Sequence, residues 1–170
     1  MCGITGCLAQ ADGAGPDTQW VRRAAMRIAH RGPDDEGFFA DRDLALGFRR
    51  LAIIDTSAAG RQPMQSADGR FVTVFDGEIY NHVELGQRLL ARGVRLRSGS
   101  AAEVLLEMYA WLGRDVLRQL RGMYAFAIWD RRTRELFCAR DPFGIKPFYY
   151  ALTTGHRPRS GPQLRFASER

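Results

Sequence analysis

The hydrophobic and polar positions of the chain follow two periods, and these predict groups of strands with helices between them. The apolar run 71–75 is the strongest strand signal, and residues 3–9 predict a buried strand near the N-terminus. Asp76 and Gly77 form a turn dipeptide, which should end the strand at 71–75. The other predicted strands cover residues 38–40, 45–48, 51–54, 123–129, 136–139, 148–152 and 164–168.

Apolar residues at helical spacing predict helices between these strands. The pair Asn81 and Glu84 matches the capping pattern that is typical of a helix start, and Ser100 with Glu103 repeats it. Antiparallel blocks of strands with helices between them favour an α+β layered fold over regular βαβ alternation. The predicted helices cover residues 17–29, 82–92, 101–112 and 116–120.

The length and composition narrow the class of protein. At 170 residues the chain is most simply one domain, 1–170. It has no apolar run of about 18 residues and no secretory signal pattern, so we expect no membrane association. Three cysteines without a Cys-x-x-Cys pair predict neither a disulfide framework nor a zinc site. We therefore expect no metal, no cofactor and a cytoplasmic location.

The formal net charge of +6 raises the question of nucleic-acid binding. Lys146 is the only lysine among the 25 basic residues, and the arginines are scattered among acidic residues. No basic run of five or more residues occurs. The pattern does not indicate a nucleic-acid surface, and we expect no nucleic-acid partner.

Cys2 directly follows the initiator methionine, which is usually removed when the next side chain is small. Removal would leave a thiol and a free α-amine on one residue. Their reference pKa values are about 8.5 and about 8, so a nucleophile would lie beside its own general base. The alternative is a small buried cysteine that opens a strand. Cys2 alone does not decide between the two.

Six motifs in chain order give the first indication of a family. They lie at residues 1–4, 30–34, 50–55, 77–81, 122–127 and 140–147. Together they resemble the class II glutamine amidotransferase domain of asparagine synthetases, from Cys2 to about Glu169. The resemblance implies an N-terminal nucleophile hydrolase fold, which is a four-layer αββα sandwich of two antiparallel sheets. It also implies hydrolysis of glutamine, or a related small amide, to release ammonia.

The resemblance further implies a partner and a set of site residues. The partner would be an ATP-dependent synthetase domain or subunit, which is absent from these 170 residues. Cys2 would attack the carboxamide to form a thioester, and Arg50 would bind the α-carboxylate. The Gly77 N–H would donate to the tetrahedral oxyanion, and Glu78 would lie near the substrate ammonium. Two further positions would line the pocket with their backbone: Ile53 and Ile54.

Two positions depart from the pattern of the family. Asp76 stands where the family has an asparagine that is the second oxyanion donor, and an ionised aspartate cannot donate. Losing one such donor costs roughly 3–4 kcal/mol in other hydrolases. Ala101 replaces an aspartate that pairs with the substrate ammonium, a loss of about 1.5–3 kcal/mol. Both substitutions predict impaired turnover or an altered substrate.

Three functional hypotheses follow. The first is an amidotransferase-type glutaminase that is impaired or altered. The second is a non-catalytic docking or scaffold domain for a synthetase that uses free ammonia. The third is an amidohydrolase of the N-terminal nucleophile type that acts on a modified amide.

Overall fold

Two compact units make up the chain, each with its own antiparallel sheet. The computed structural model describes residues 1–9, 15–52, 58–153 and 161–170. The first unit comprises Met1–Leu51 and Pro147–Arg170, and the second comprises Ala52–Lys146. The predicted α+β class with two antiparallel sheets is confirmed.

The described residues form nine strands and three α-helices. None of these helices is long and apolar enough to cross a membrane. The elements are β1 (Gly3–Ala9), α1 (Thr18–Arg27), β2 (Asp35–Ala40), β3 (Leu44–Arg50), β4 (Met64–Gln65), β5 (Phe71–Ile79), α2 (His82–Ala91), α3 (Ala101–Leu112), β6 (Gly122–Asp130), β7 (Glu135–Arg140), β8 (Tyr149–Thr153) and β9 (Gln163–Ala167).

The N-terminal strand β1 lies at the centre of the first sheet. The strand order is β2-β3-β1-β9-β8, and all neighbouring strands are antiparallel. Helix α1 packs on β1 and β3, and Val21 of α1 contacts Cys7 and Ala45 in a buried cluster. The carboxylate of Asp17 caps α1 by accepting from the Trp20 N–H at 2.9 Å. The buried strand predicted at 3–9 is therefore confirmed, with partners on both edges.

The second sheet has the order β4-β5-β6-β7 and is built around the long β5–β6 pair. Two glycines let these strands approach closely. A Cβ at Gly77 would lie 2.3 Å from the carbonyl oxygen of Met123, and one at Gly122 would lie 2.1 Å from that of Glu78. The turn predicted at Asp76 and Gly77 is therefore wrong. The glycine serves close strand contact, and β5 continues to Ile79.

Helices α2 and α3 cover the second sheet, with α3 packed on β5 and α2 packed on α3. The Ser100 hydroxyl caps α3 by accepting from the Glu103 N–H at 3.2 Å, as predicted. The helix start predicted at Asn81 is confirmed, since α2 begins at the next residue, but the Asn81 side chain makes no capping hydrogen bond. Its side chain instead bonds to Gln119 O at 2.9 Å and to Arg121 N at 3.0 Å, which fastens the approach to β6.

Two other predictions differ from the structure. The strand predicted at 51–54 is wrong at 51–52, which have no regular structure, and 53–54 lie outside the described residues. The glycine and proline residues at 32, 33 and 37 predict a loop at 30–37. The structure already has the first residues of β2 there, because Asp35 pairs with Arg50 across the β2–β3 ladder. A short tract with no clear alternation, Met64–Gln65, forms β4 against β5.

The loop after β7 is organised by one buried carboxylate, that of Asp141. Oδ1 accepts from the N–H groups of Phe143 at 3.1 Å and Ile145 at 2.9 Å. Oδ2 accepts from the N–H groups of Lys146 at 3.0 Å and Tyr124 at 3.2 Å. Burial raises the pKa of Asp141, but these backbone donors outweigh burial, so the pKa lies below its ordinary value.

We expect Asp141→Ala to lower the free energy of unfolding at pH 7 by about 3 kcal/mol, since buried backbone donors lose a charged acceptor. Because the folded-state pKa is lowered, the stabilisation is present above the unfolded-state pKa of about 3.9 and is lost as pH falls through the folded-state value. Urea unfolding should therefore show a gap between wild type and variant that shrinks towards pH 3.

Asp115→Ala is the matched control. Asp115 forms an exposed pair with Arg118, and its loss should cost about 0.5 kcal/mol or less. An Asp141→Ala gap that stays constant between pH 7 and pH 3 would contradict the role given to the carboxylate.

Candidate functional site

Cys2 lies directly before β1 and is half-buried. Its Sγ accepts from the Leu51 N–H at 3.5 Å and donates to the Leu51 carbonyl at 3.7 Å. Leu51 is the residue after Arg50, which ends β3. The first unit thus brings the predicted nucleophile beside the segment that carries the predicted carboxylate-binding arginine.

Hydrogen bonds from outside the β1–β3 and β1–β9 ladders hold the backbone around Cys2. The Nε of Arg31 donates to the Cys2 carbonyl at 2.9 Å. The Ile4 N–H donates to Ser168 Oγ at 2.9 Å, and the Ser168 N–H donates to the Ile4 carbonyl at 2.9 Å. The start of β1 is therefore fixed by side chains that are distant in sequence.

Arg50 is buried at the end of β3, with 7% of its surface exposed. Its carbonyl accepts from the Asp34 N–H at 3.0 Å. Gly32 lies against the same strand end, since a Cβ there would be 2.5 Å from the Arg50 nitrogen. Arg49 pairs instead with Glu36 on β2, because successive side chains of a strand point to opposite faces of the sheet.

In the second unit, Asp76 carries a paired charge. It is 1% exposed, and its Oδ1 lies 3.7 Å from the Nζ of Lys146, which is 4% exposed. This distance fits an ion pair rather than a direct hydrogen bond. The Asp141 carboxylate fixes the backbone of Lys146 and so helps to place the ammonium.

The other predicted residues of the second unit lie on β5 and α3. Gly77 and Glu78 follow Asp76 along β5, opposite Tyr124 and Met123. Glu78 is half-buried, and its carboxylate makes no hydrogen bond or ion pair with any residue that the structure describes. Ala101 is the first residue of α3, and its methyl side chain cannot accept a hydrogen bond.

The structure does not describe the two residues that were predicted to line the pocket with their backbone. Ile53 and Ile54 lie outside the described residues. Across the described ranges, no group of three or more His, Cys, Asp or Glu side chains is arranged to hold a metal ion.

The other two cysteines have environments that suppress reactivity. Cys7 is buried and donates to Gln163 Oε1 at 3.2 Å, and burial raises the pKa of its thiol. Burial raises the pKa of Cys138 to about 12. Because the thiolate is the nucleophile, both should be inert near neutral pH.

All of residues 1–170 match the family described as a glutamine amidotransferase domain. The chain belongs to this family. The amidotransferase domain is 41% identical to the glutamine-hydrolyzing asparagine synthetase 1 of Bacillus subtilis, a match that covers 100% of the chain and 26% of the relative. It is 43% identical to a putative glutamine-hydrolyzing asparagine synthetase of Mycobacterium tuberculosis, over 91% of the chain and 26% of the relative. The domain thus spans about a quarter of the length of these curated relatives.

Two solved structures support the fold of the amidotransferase domain. An allosteric regulatory enzyme of purine biosynthesis matches with a TM-score of 0.75 at 19% identity, over 98% of this chain and 41% of that one. The glutamine phosphoribosylpyrophosphate amidotransferase of Bacillus subtilis matches with a TM-score of 0.71, also at 19% identity and over the same shares. The predicted N-terminal nucleophile hydrolase fold is confirmed, and so is the prediction of a glutamine amidotransferase domain similar to that of asparagine synthetases.

Two residues of the amidotransferase domain contact predicted site residues but have no role in the prediction from sequence. Arg31 belongs to the motif at residues 30–34, but the motif gives it no role, although it contacts Cys2. Lys146 had a usable signal, because it is the single lysine in a chain that otherwise uses arginine. A compact ammonium fits a small buried space beside a carboxylate better than a guanidinium does.

The buried pair gives a test on the amidotransferase domain. We expect Asp76→Asn to reduce the free energy of unfolding by about 3 kcal/mol, because it leaves Lys146 buried without its counter-charge. Adding Lys146→Met should recover at least half of that loss. The four proteins form a double-mutant cycle that urea unfolding can measure.

Asp115→Asn and Arg118→Met give the matched exposed pair, with an expected coupling of about 0.5 kcal/mol or less. Additive effects of the Asp76 and Lys146 substitutions would show that the two charges do not stabilise each other.

Proposed function

We propose that this domain hydrolyses the side-chain amide of glutamine to glutamate and ammonia, with Cys2 as the nucleophile. The position of the Cys2 thiol carries the proposal, since it lies against the Leu51 backbone, one residue from Arg50. Cys7 and Cys138 have raised thiol pKa values, which leaves Cys2 as the cysteine suited to attack.

The proposed reaction has two steps. The Cys2 sulfur attacks the amide carbon, and the C–N bond breaks after the thiol proton has been passed to the leaving nitrogen, which releases ammonia. Water then attacks the thioester, the C–S bond breaks and glutamate leaves. Once Met1 is removed, the free α-amine of Cys2 acts as the proton carrier in both steps.

Arg50 and Gly77 have separate roles in this proposal. The guanidinium of Arg50 binds the α-carboxylate through two parallel hydrogen bonds, and the Gly77 N–H stabilises the oxyanion. Glu78 offers a carboxylate to the substrate ammonium. The backbone of Ile53 and Ile54 lines the pocket.

The curated relatives suggest where the ammonia goes. They are named glutamine-hydrolyzing asparagine synthetases and are about four times as long as this chain. We propose that the ammonia passes to an ATP-dependent synthetase domain or subunit.

A second candidate function is a non-catalytic docking domain. The Asp76–Lys146 pair favours it, because position 76 then holds an ionised group that cannot donate to an oxyanion. Ala101 also lacks the acceptor that a substrate ammonium needs.

Cys2→Ala should abolish glutamate release, with a fall of about 1,000-fold or more, since the covalent step is lost. Intact mass must first show that Met1 has been removed from the wild-type chain. The electrophile 6-diazo-5-oxo-norleucine, which resembles glutamine, should label wild type once, at Cys2.

Cys138→Ser is the matched control and should keep glutamate release within about twofold, because the pKa of Cys138 makes its thiol a poor nucleophile. Labelling at Cys7 or Cys138 instead of Cys2 would overturn the assignment of the nucleophile.

The second candidate function predicts recovery of activity on repair. We expect the triple variant Asp76→Asn, Lys146→Met and Ala101→Asp to raise kcat/KM for glutamine at least about 100-fold, because it restores one oxyanion donor and one ammonium acceptor. Initial rates of glutamate release measure it. A wild type that already turns glutamine over at the repaired rate would exclude the docking-only function.

A further inference from the structure

Arg31 is a nearly buried charge that reaches the candidate nucleophile. It is 9% exposed, and its Nε donates to the Cys2 carbonyl at 2.9 Å. Its Nη1 donates to Glu169 Oε1 at 3.1 Å. One guanidinium therefore links the residue before β1 to the segment after β9.

Glu169 is in turn held in place from two sides. His30 Nε2 lies 3.0 Å from the same Oε1 that Arg31 contacts. Burial raises the pKa of Glu169, but the hydrogen bonds with Arg31 and His30 outweigh it, so the pKa lies below its ordinary value. The carboxylate is ionised at neutral pH and supplies the counter-charge that a buried arginine needs.

We propose that Arg31 is a positioning residue for the Cys2 nucleophile and that Glu169 holds Arg31 in its working geometry. This inference deepens the proposed glutaminase function and rests on it. Arg31 does not touch the substrate in this proposal. It acts through the backbone of Cys2.

The reason is geometric. Cys2 precedes β1, so its amine and thiol project from the free end of a strand, where backbone order is normally lowest. A hydrogen bond to the Cys2 carbonyl restricts rotation about its Cα–C bond. It therefore orients the Cα–N and Cα–Cβ bonds that carry the amine and the thiol. Misplacement by about 1 Å can cost roughly 100-fold in rate.

The same contacts tie Cys2 to the chain after β9. Ser168 exchanges two hydrogen bonds with Ile4, and Glu169 reaches Cys2 through Arg31. A displacement of residues 168–169 would therefore shift the backbone of Cys2. This gives any domain attached after residue 170 a physical route by which to alter glutamine hydrolysis.

The test compares Arg31→Met, Arg31→Lys and Glu169→Gln in the 170-residue chain, with Arg27→Met as the matched control on an exposed face of α1. We expect Arg31→Met to lower kcat for glutamate release about 100-fold with KM within about twofold, and Glu169→Gln to lower kcat about tenfold. The kcat of Arg31→Lys should lie between that of Arg31→Met and that of wild type, because one ammonium cannot reproduce the two-sided hydrogen bonding of the guanidinium.

Two labelling reactions separate positioning from a general loss of thiol reactivity. Labelling of Cys2 by 6-diazo-5-oxo-norleucine should fall in parallel with kcat, whereas alkylation by iodoacetamide should change less than about threefold. Glu169→Gln keeps the shape of its side chain, so it tests the inference even if Arg31→Met fails to fold.

Unchanged kcat in folded Arg31→Met and Glu169→Gln, or a rise in KM alone, would overturn the inference. A wild type that releases no glutamate would overturn the proposed function instead. Amide hydrogen exchange of the peptide that contains residues 2–5 then decides the role of Arg31. Exchange of this peptide should be faster than in wild type for Arg31→Met and Glu169→Gln but not for Arg27→Met. Equal protection in all of them would refute the positioning role of Arg31.

Discussion

The pairing of β1 on both edges is the constraint on which the rest of the first unit depends. β1 bonds to β3 over six residue pairs and to β9 over five. A strand that is paired on both edges cannot slide without breaking two sets of hydrogen bonds, so the position of the residue before it is fixed. Cys2 takes its position from this arrangement, and Leu51 meets its sulfur because β3 runs antiparallel beside β1. The position of Cys2, at the start of the chain, thus depends on strands that are distant in sequence.

The second unit places its key side chains by buried charges as well as by strand pairing. The Asp141 carboxylate accepts hydrogen bonds from backbone N–H groups of the loop after β7, including that of Lys146. The fixed backbone then places the Lys146 ammonium beside Asp76 on β5. Each carboxylate is buried and each has a specific source of compensation, backbone dipoles for Asp141 and an ammonium for Asp76. Loss of one member of a buried ion pair is costly, so Asp76 and Lys146 are expected to change together.

Much of the fold could be predicted because its strands and helices have clear periods, as β1, α3 and the β6–β7 hairpin show. The errors arose where one local signal has two physical uses. Gly77 looks like a turn residue but serves close strand contact. Asn81 precedes α2 as expected, but its side chain bonds to the chain before β6 and does not cap the helix. Cys2 was recognised through motifs. Arg31 and Lys146 were missed because their roles depend on contacts 29 and 70 residues away.

The glycine pair in β5 and β6 has a consequence for judging relatives of this domain. Gly77 is required by packing against Met123, whatever the domain does chemically. A descendant that had lost all turnover would still be under selection to keep it, since any side chain there would force the two strands apart. Retention of this glycine therefore indicates that the strand packing is kept and does not indicate that the domain is active. Cys2 is the more informative position for the proposed catalysis, because it lies before β1 and outside its ladders. Position 76 reports on both, since Asp76 also pairs with the buried Lys146.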